Sequence, residues 1–258
     1  MTKPVGRILV TNDDGINAPG LKAAMKIANE LSDDVWIVAP MEEKSGASHS
    51  LSLSHPLRLI KKGAKKYAVT GTPTDCVMFA TRHMMRDEPP DLVISGVNFG
   101  QNIAEDVSYS GTVAGAKEGT VFGIPSVALS QAIRMDGSGK IRFEVGVKHG
   151  AKIIRQLLKL NWPRDTLINV NFPDIDPSTP CKVRITKQGK RDARILCLDE
   201  RIDPRNTRYY WYDFKRESIT AGKGTDIEAI LEGDISITPL KMDHTDTSIK
   251  SKLSALFS

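Results

Sequence analysis

Two adjacent aspartates stand in the segment Asn12-Asp13-Asp14-Gly15, directly after the apolar run Arg7–Thr11 (RILVT). Neighbouring carboxylates repel, and keeping both ionised in one site calls for a counter-charge. The cations that suit two carboxylates and further oxygen donors are Mg2+ and Mn2+. Taken alone, the four residues also fit a solvated turn with an Asx cap. A second segment, Lys44-Ser45-Gly46-Ala47-Ser48, follows the next apolar run, Val35–Ala39. Its hydroxyl oxygens are weak ligands for a hard metal, and its glycine permits close approach of a ligand to the backbone. A third, SGVNFGQN (Ser95–Asn102), runs on to Tyr109-Ser110-Gly111-Thr112-Val113. Ser110-Gly111-Thr112 immediately precedes a stretch of small residues that reads as a helix. A helix N-terminus offers unpaired N–H groups and the positive end of its dipole to a phosphate. Asn98 and Asn102 can turn carbonyl oxygens to a metal or amides to a phosphate oxygen. Together the three loops suggest metal-assisted chemistry on a phosphate ester.

The elements that would position these loops follow from periodicity. Arg7–Thr11 and Val35–Ala39 read as buried strands, with a helix face at Leu21, Ala24, Met25, Ile27, Ala28 and Leu31 between them. Strand, helix, strand is a βαβ unit, with parallel strands and a right-handed crossover. Ser52–Ile60 reads as an outlying strand and Tyr67–Val69 as its short partner. Thr72-Pro73-Thr74-Asp75 is a helix start, continuing through Cys76–Met85. Leu92–Ser95 is the next buried strand, followed by a long loop, Gly96–Gly111. Then come a helix over Thr112–Phe122, a strand at Ile124–Leu129, a helix at Phe143–Leu160 and a strand at Leu167–Val170. After Pro173 the pattern changes to an extended basic arm over 181–216 that carries Tyr209, Tyr210, Trp211 and Tyr212. Asp226–Thr238 reads as helix or strand feeding Ile235–Thr238, and Thr247–Phe257 as an amphipathic tail helix. The expected fold class is α/β, a doubly wound, mostly parallel Rossmann-like sheet over 1–175. Residues 176–258 are expected to form a basic hairpin-like arm, a return to the core and a tail helix, used in oligomerisation. Each candidate loop then lies beyond the carboxyl end of a strand, where open α/β sheets bind ligands.

Composition agrees with this class. The chain has 258 residues, 40% hydrophobic and 26% charged, which excludes a disordered or fibrous protein. No apolar run reaches the roughly 18 residues of a membrane helix. The start, MTKPVGRILVTNDDG, lacks the pattern of a signal peptide, so a cytoplasmic location is expected. Cys76, Cys181 and Cys197 form no close pair, which argues against a disulfide framework or zinc knuckle. The five histidines make no zinc motif. The formal net charge is +5, with the excess concentrated in 182–216, where 11 basic residues meet 5 acidic ones. The interspersed signs and the lack of a recognition motif argue against nucleic acid as a partner. The aromatic residues of the arm suit a subunit contact better than stacking on RNA.

ILVTNDDGINAPG, KSGASHSLSL, GTPTDCV, PDLVISGVNFGQN and YSGTVAGAKEG, in this order over residues 7–120, resemble the SurE family of stationary-phase survival proteins. The match continues weakly through INVNFP and RYYW. The resemblance implies a metal-dependent nucleotidase acting on nucleoside 5′- and 3′-monophosphates, with some activity on short polyphosphate. It implies one divalent cation per subunit, Mg2+ or Mn2+, held by Asp13, Asp14, Ser45 and Asn98, with Asp13 and Asp14 also catalytic. The phosphate would lie near Asn12, Gly46, Asn102, Ser110, Gly111 and Thr112. It further implies a homodimer or homotetramer built through the C-terminal extension. His49, Ala104 and Gly115 depart from the family's motifs, and none of them is a proposed ligand. A receiver-like signalling module is disfavoured, because an aspartate after the third core strand and a lysine after the fifth are missing. A silent nucleotide-binding protein on the same fold is the remaining alternative.

Overall fold

A computed structural model describes residues 3–133, 142–191, 196–214 and 221–257. In it β1 (Arg7–Thr11), α1 (Pro19–Asn29) and β2 (Asp34–Pro40) form the expected unit, with β1 and β2 parallel. Ile8, Leu9 and Val10 are fully buried, as a continuous apolar run requires when helices cover both faces of a sheet. β3 (Leu59–Gly63) and β4 (Lys66–Val69) are an antiparallel pair, and β4 joins β2 in parallel. α2 (Pro73–Phe79) begins on a capping box between Thr72 and Asp75 and ends in one π turn, Ala80–Met84. β5 (Leu92–Phe99) then pairs with the free side of β1. α3 (Asp106–Tyr109), α4 (Gly111–Val121), β6 (Ser126–Gln131), α5 (Glu144–Leu157) and β7 (Thr166–Phe172) follow. The chain continues with β8 (Val183–Ile185), the hairpin β9 (Leu196–Ile202) and β10 (Arg208–Phe214), α6 (Asp226–Leu231), β11 (Ile235–Lys241) and α7 (Thr247–Leu256).

The nine strands of the main sheet run in the order β3-β4-β2-β1-β5-β6-β7-β11-β8. From β4 to β7 neighbouring strands are parallel, β11 is antiparallel to β7, and β8 is parallel to β11. From β1 the chain winds outward to β2 and β4, then returns to β5 and winds the other way. The strand order therefore reverses between β1 and β5, and their carboxyl ends flank the crevice where such sheets take ligands. α1 and α5 cover one face through Leu21, Ile27, Val145 and Ile154. They approach closely because a side chain on Gly150 would meet Ile27 Cδ1 at 2.7 Å. α2 and α4 cover the other face through Cys76, Val77, Val113 and Ala116.

The structure moves two of the expected boundaries. β5 does not stop at Ser95 but runs to Phe99, with a shift of register against β6 between Ser95 and Asn98. Gly96 makes this possible: its φ is +137°, and a Cβ there would fall 2.2 Å from the Leu129 carbonyl oxygen. The expected loop Gly96–Gly111 accordingly contains the end of β5 and the whole of α3. The expected strand at Ser52–Ile60 keeps only its last two residues. Upstream, Ser52 gives its N–H and its hydroxyl to the Asp75 carboxylate, so the α2 cap, not a strand partner, takes these groups. Parts of the expected arm, 192–195 and 215–216, lie outside the described residues.

Candidate active site

β1 ends at Thr11, and the turn behind it is closed by Asn12, whose Nδ2 donates to the Gly15 carbonyl at 3.0 Å. Gly15 itself stands at φ +99°. The turn places Asp13 and Asp14 in different surroundings. Asp13 is 4% exposed and accepts a hydrogen bond from the Thr112 hydroxyl on α4. Gly111 lies against the same side chain: a Cβ on it would sit 2.7 Å from Asp13 Cβ. Burial pushes the Asp13 carboxyl above the usual carboxylate range, Thr112's hydroxyl and N–H pull it back, and Glu43 pushes it up again. Asp14 is half-buried and accepts from the Phe99 N–H at 3.2 Å. Burial first, then the charge of Asp13, pushes Asp14 up to about 6.

The glycines of α4 explain how its N-terminus reaches Asp13. Gly111, Gly115 and Gly119 share one face, four residues apart. A Cβ on Gly115 would stand 2.7 Å from Ser95 Oγ and 2.9 Å from Thr11 Cγ2. One on Gly119 would stand 2.3 Å from Ser126 Oγ. The helix therefore rests backbone-close on β1, β5 and β6. Gly115, a departure from the family motif, is thus required by packing. Ser110 caps α4 by accepting from Val113 N at 3.0 Å.

The 44–48 loop is tied to both of the other loops. Lys44 N donates to the Asp13 carbonyl at 2.8 Å. Ser48 gives its N–H to the Tyr109 carbonyl at 3.1 Å and its hydroxyl to the Ser108 carbonyl at 2.7 Å. Ser45 is exposed and donates to Glu43 Oε1 at 2.8 Å, and Gly46, at φ +75°, faces open space where a side chain would be. Asn98 is half-buried, and its Nδ2 donates to the Gly100 carbonyl at 2.9 Å, so the amide nitrogen is engaged and Oδ1 is the atom left to accept.

Asn102 stands apart from this group. It is buried, its amide donates to Ser130 Oγ at 2.9 Å, and its backbone is held by Asn169 and Asn171 from β7. It serves the framework beneath the loop. The two asparagines alternate along the strand Thr166–Phe172, a spacing that would have placed both on one face. Glu43 is the acidic neighbour that the three-loop argument omits. The signal was present, since Glu42-Glu43 follows the second strand after Met41 alone.

The site fits a hard divalent cation. Among the described residues, the charges that chiefly shift Asp13 and Asp14 are acidic: Glu43 for both, and Asp13 for Asp14. Among the described residues, no three His, Cys, Asp or Glu side chains converge as a metal site. Beside Glu43, the candidate donors on the neighbouring loops are the neutral oxygens of Ser45 and Asn98, a set that Mg2+ and Mn2+ accept.

A doubly wound α/β sheet with a carboxylate pair and a capped helix N-terminus at its switch point defines a protein built to handle phosphate. Residues 8–195 match the family described as "Survival protein SurE". The chain belongs to the SurE family. It is 55% identical over 239 residues to a protein of Parvibaculum lavamentivorans named 5′-nucleotidase SurE, covering 93% of this chain and 86% of that one. A protein of the same name from Azorhizobium caulinodans is 53% identical over 251 residues, covering 97% and 98%. The crystal structure of the SurE protein from Aquifex aeolicus superposes with a TM-score of 0.83 at 37% identity, covering 98% of this chain and all of that one.

Proposed function

We propose that this chain is a metal-dependent phosphomonoesterase that converts nucleoside 5′- and 3′-monophosphates to nucleoside and phosphate, with short polyphosphate as a lesser substrate. The observation that carries the proposal is the carboxylate pair at the switch point of the sheet, Asp13 buried against the N-terminus of α4 and Asp14 half-buried beside it, each pushed up by burial and by acidic neighbours. Asp13, Asp14, Ser45 Oγ and Asn98 Oδ1 would hold one Mg2+ or Mn2+ per subunit. When bound, the cation supplies positive charge to the transferring phosphoryl group and acidifies water.

The chain's own residues do the rest. Thr112 fixes the Asp13 carboxylate in one orientation, so that it can align an attacking water and accept its proton. Of the first N–H groups of α4, Val113's is taken by the Ser110 hydroxyl, and Thr112's helps hold the Asp13 carboxyl down. The Gly111 N–H would take a non-bridging phosphate oxygen. Ser110 and Thr112 line the same helix start, Asn12 closes the turn below it, and Gly46 lets the 44–48 backbone approach the other side of the phosphate. The leaving oxygen is the ribose hydroxyl. The C-terminal extension, 176–258, joins subunits into a dimer or tetramer. No described helix is long and apolar enough to cross a membrane, and we place the enzyme in the cytoplasm.

The deciding experiment measures phosphate release from a panel of nucleoside 5′- and 3′-monophosphates. It runs in EDTA, then with Mg2+ or Mn2+ restored, beside the Asp13→Asn variant. Release that returns with metal and is lost in the variant supports the proposal. No release under either metal moves the weight to a silent nucleotide-binding protein.

A further inference from the structure

Outside the hairpin and the tail helix, the aromatic side chains that the described residues leave exposed are Phe99 and Tyr109, at 52% and 63%. Elsewhere in the same body, Trp36, Tyr67, Phe79, Phe122, Phe143 and Trp162 are all partly buried. The two exposed rings are not scattered. Phe99 follows Asn98 directly and Tyr109 directly precedes Ser110, so each is the chain neighbour of a site residue.

Both backbones are pinned. The Phe99 N–H is on Asp14 Oδ2 at 3.2 Å, and Phe99 pairs with Gln131 of β6. The next residue, Gly100, donates to the Gln131 carbonyl at 2.9 Å. The Tyr109 carbonyl accepts from Ser48 N at 3.1 Å, and Ser110 then caps α4. Rings on fixed backbone lose little freedom when a ligand covers them. A phenylalanine with half its surface left in water beside a carboxylate gives up much of the burial its ring could contribute to folding. The exposed half gains when an apolar surface comes to lie on it.

The floor of the crevice, made of acids and a helix start, suits phosphate. The part of a nucleotide that offers a flat π surface is the base, and aromatic side chains stack on any base. We infer that Phe99 and Tyr109 form the platform on which the substrate's nucleobase stacks while its phosphate lies at Asp13 and Asp14. The inference rests on the nucleotidase reading. It assigns Phe99 and Tyr109 to substrate affinity and breadth: stacking accepts all bases and sets a bias toward the larger purines.

The test compares AMP with ribose 5-phosphate, which keeps the sugar and the phosphate and lacks the base. Steady-state kinetics on the full chain with Mg2+ or Mn2+ should give AMP a kcat/KM advantage of about 5- to 150-fold, the worth of one stacked base. Phe99→Ala should bring the ratio toward one through a higher KM for AMP, and Tyr109→Ala should move it the same way. Phe99→Trp should keep the ratio. A wild type that treats both substrates alike overturns the platform and leaves the nucleotidase standing. Variants that keep the wild-type ratio overturn it too, and put the base contact elsewhere. Equal losses on both substrates in Phe99→Ala would make the ring structural. A wild type that hydrolyses neither substrate refutes the nucleotidase reading, and the platform falls with it.

Discussion

Asp13 and Asp14 are sequence neighbours with unequal tasks. Asp13 has its hydrogen-bond partners on α4, whereas Asp14 has one backbone N–H and the repulsion of Asp13. Asp14 is pushed up to about 6, so without metal its ionised form is disfavoured in the fold. A carboxyl whose folded pKa is raised contributes stability that is present at low pH and lost as pH rises through that value. The metal-free protein should therefore lose stability as pH climbs from about 4 to 6 and change little above that, which thermal melts in EDTA would show. A cation must displace the Asp14 proton below about pH 6. Its apparent affinity should then fall by roughly tenfold per pH unit there, measurable by calorimetric Mn2+ titration. Asp14→Asn removes the disfavoured charge. It should raise the metal-free Tm at pH 8, abolish the Tm gain on adding Mn2+, and lower phosphate release at least about 100-fold, the scale of a lost electrostatic group. A variant that keeps its Mn2+-dependent gain in Tm would take Asp14 out of the site.

α4 shows what an element contributes and how much of that the sequence discloses. Its small residues and its Ser110-Gly111-Thr112 start were legible as a phosphate-ready helix. That the glycines four apart press the helix onto β1 and β5 was not, because the partners, Thr11 and Ser95, are distant in sequence. Gly115→Ala brings a methyl group to 2.7 Å from Ser95 Oγ and 2.9 Å from Thr11 Cγ2. Overpacking of this kind costs about 1–3 kcal/mol. It should also lift the N-terminus of α4 off Asp13, so kcat should fall more than the lower Tm explains at assay temperature. The latch on α3 was equally hidden. Arg191 forms a bidentate ion pair with Asp106, its N–H is on Glu105 Oε2 at 2.9 Å, and Gln188 Nε2 donates to the Ala104 carbonyl at 2.8 Å. Ala104 sits at φ +52°, a conformation disfavoured for a residue with a side chain, and its N–H is held by the buried Asp226. No local pattern announces contacts made across some 85 residues of chain. The same limit explains why β5 is expected to end at Ser95 and why the burial of Asn102 is not legible: the sequence shows a polar loop, while the partners that bury Asn102 lie on β6 and β7. Arg191→Gln should loosen α3 and with it Ser110 and Ser48. KM for nucleotide should rise several-fold with the Tm within a few degrees, and Arg191→Lys should recover only part, since a lysine cannot make the forked pair.

At the scale of the molecule, the sheet accounts for the site but not for the hairpin. Among the described residues, β9 and β10 pair only with each other. Tyr209 and Trp211 point to one face of the ribbon and Tyr210 and Tyr212 to the other, yet all four are exposed, Trp211 at 60% and Tyr212 at 77%. A two-stranded ribbon is marginal by itself in water, and exposed aromatic side chains on both of its faces suit a contact. The tail helix repeats the pattern, with Ile249, Leu253, Leu256 and Phe257 all exposed. A second copy of the chain, bringing its own ribbon and tail, would cover both. Light scattering after gel filtration should therefore show a dimer or tetramer at micromolar concentration. Tyr210→Glu with Trp211→Glu places a charge on each face and should shift the protein to monomer, while far-UV circular dichroism keeps the signature of the nine-stranded sheet. The ribbon continues from the segment that holds α3 through Gln188 and Arg191, so the monomer should also show a raised KM for nucleotide. If the wild type runs as a monomer, or if the double variant still assembles, the ribbon is not the subunit contact. If the monomer forms with an unaltered KM, assembly and site are independent, and the Arg191 latch holds α3 without help from a partner.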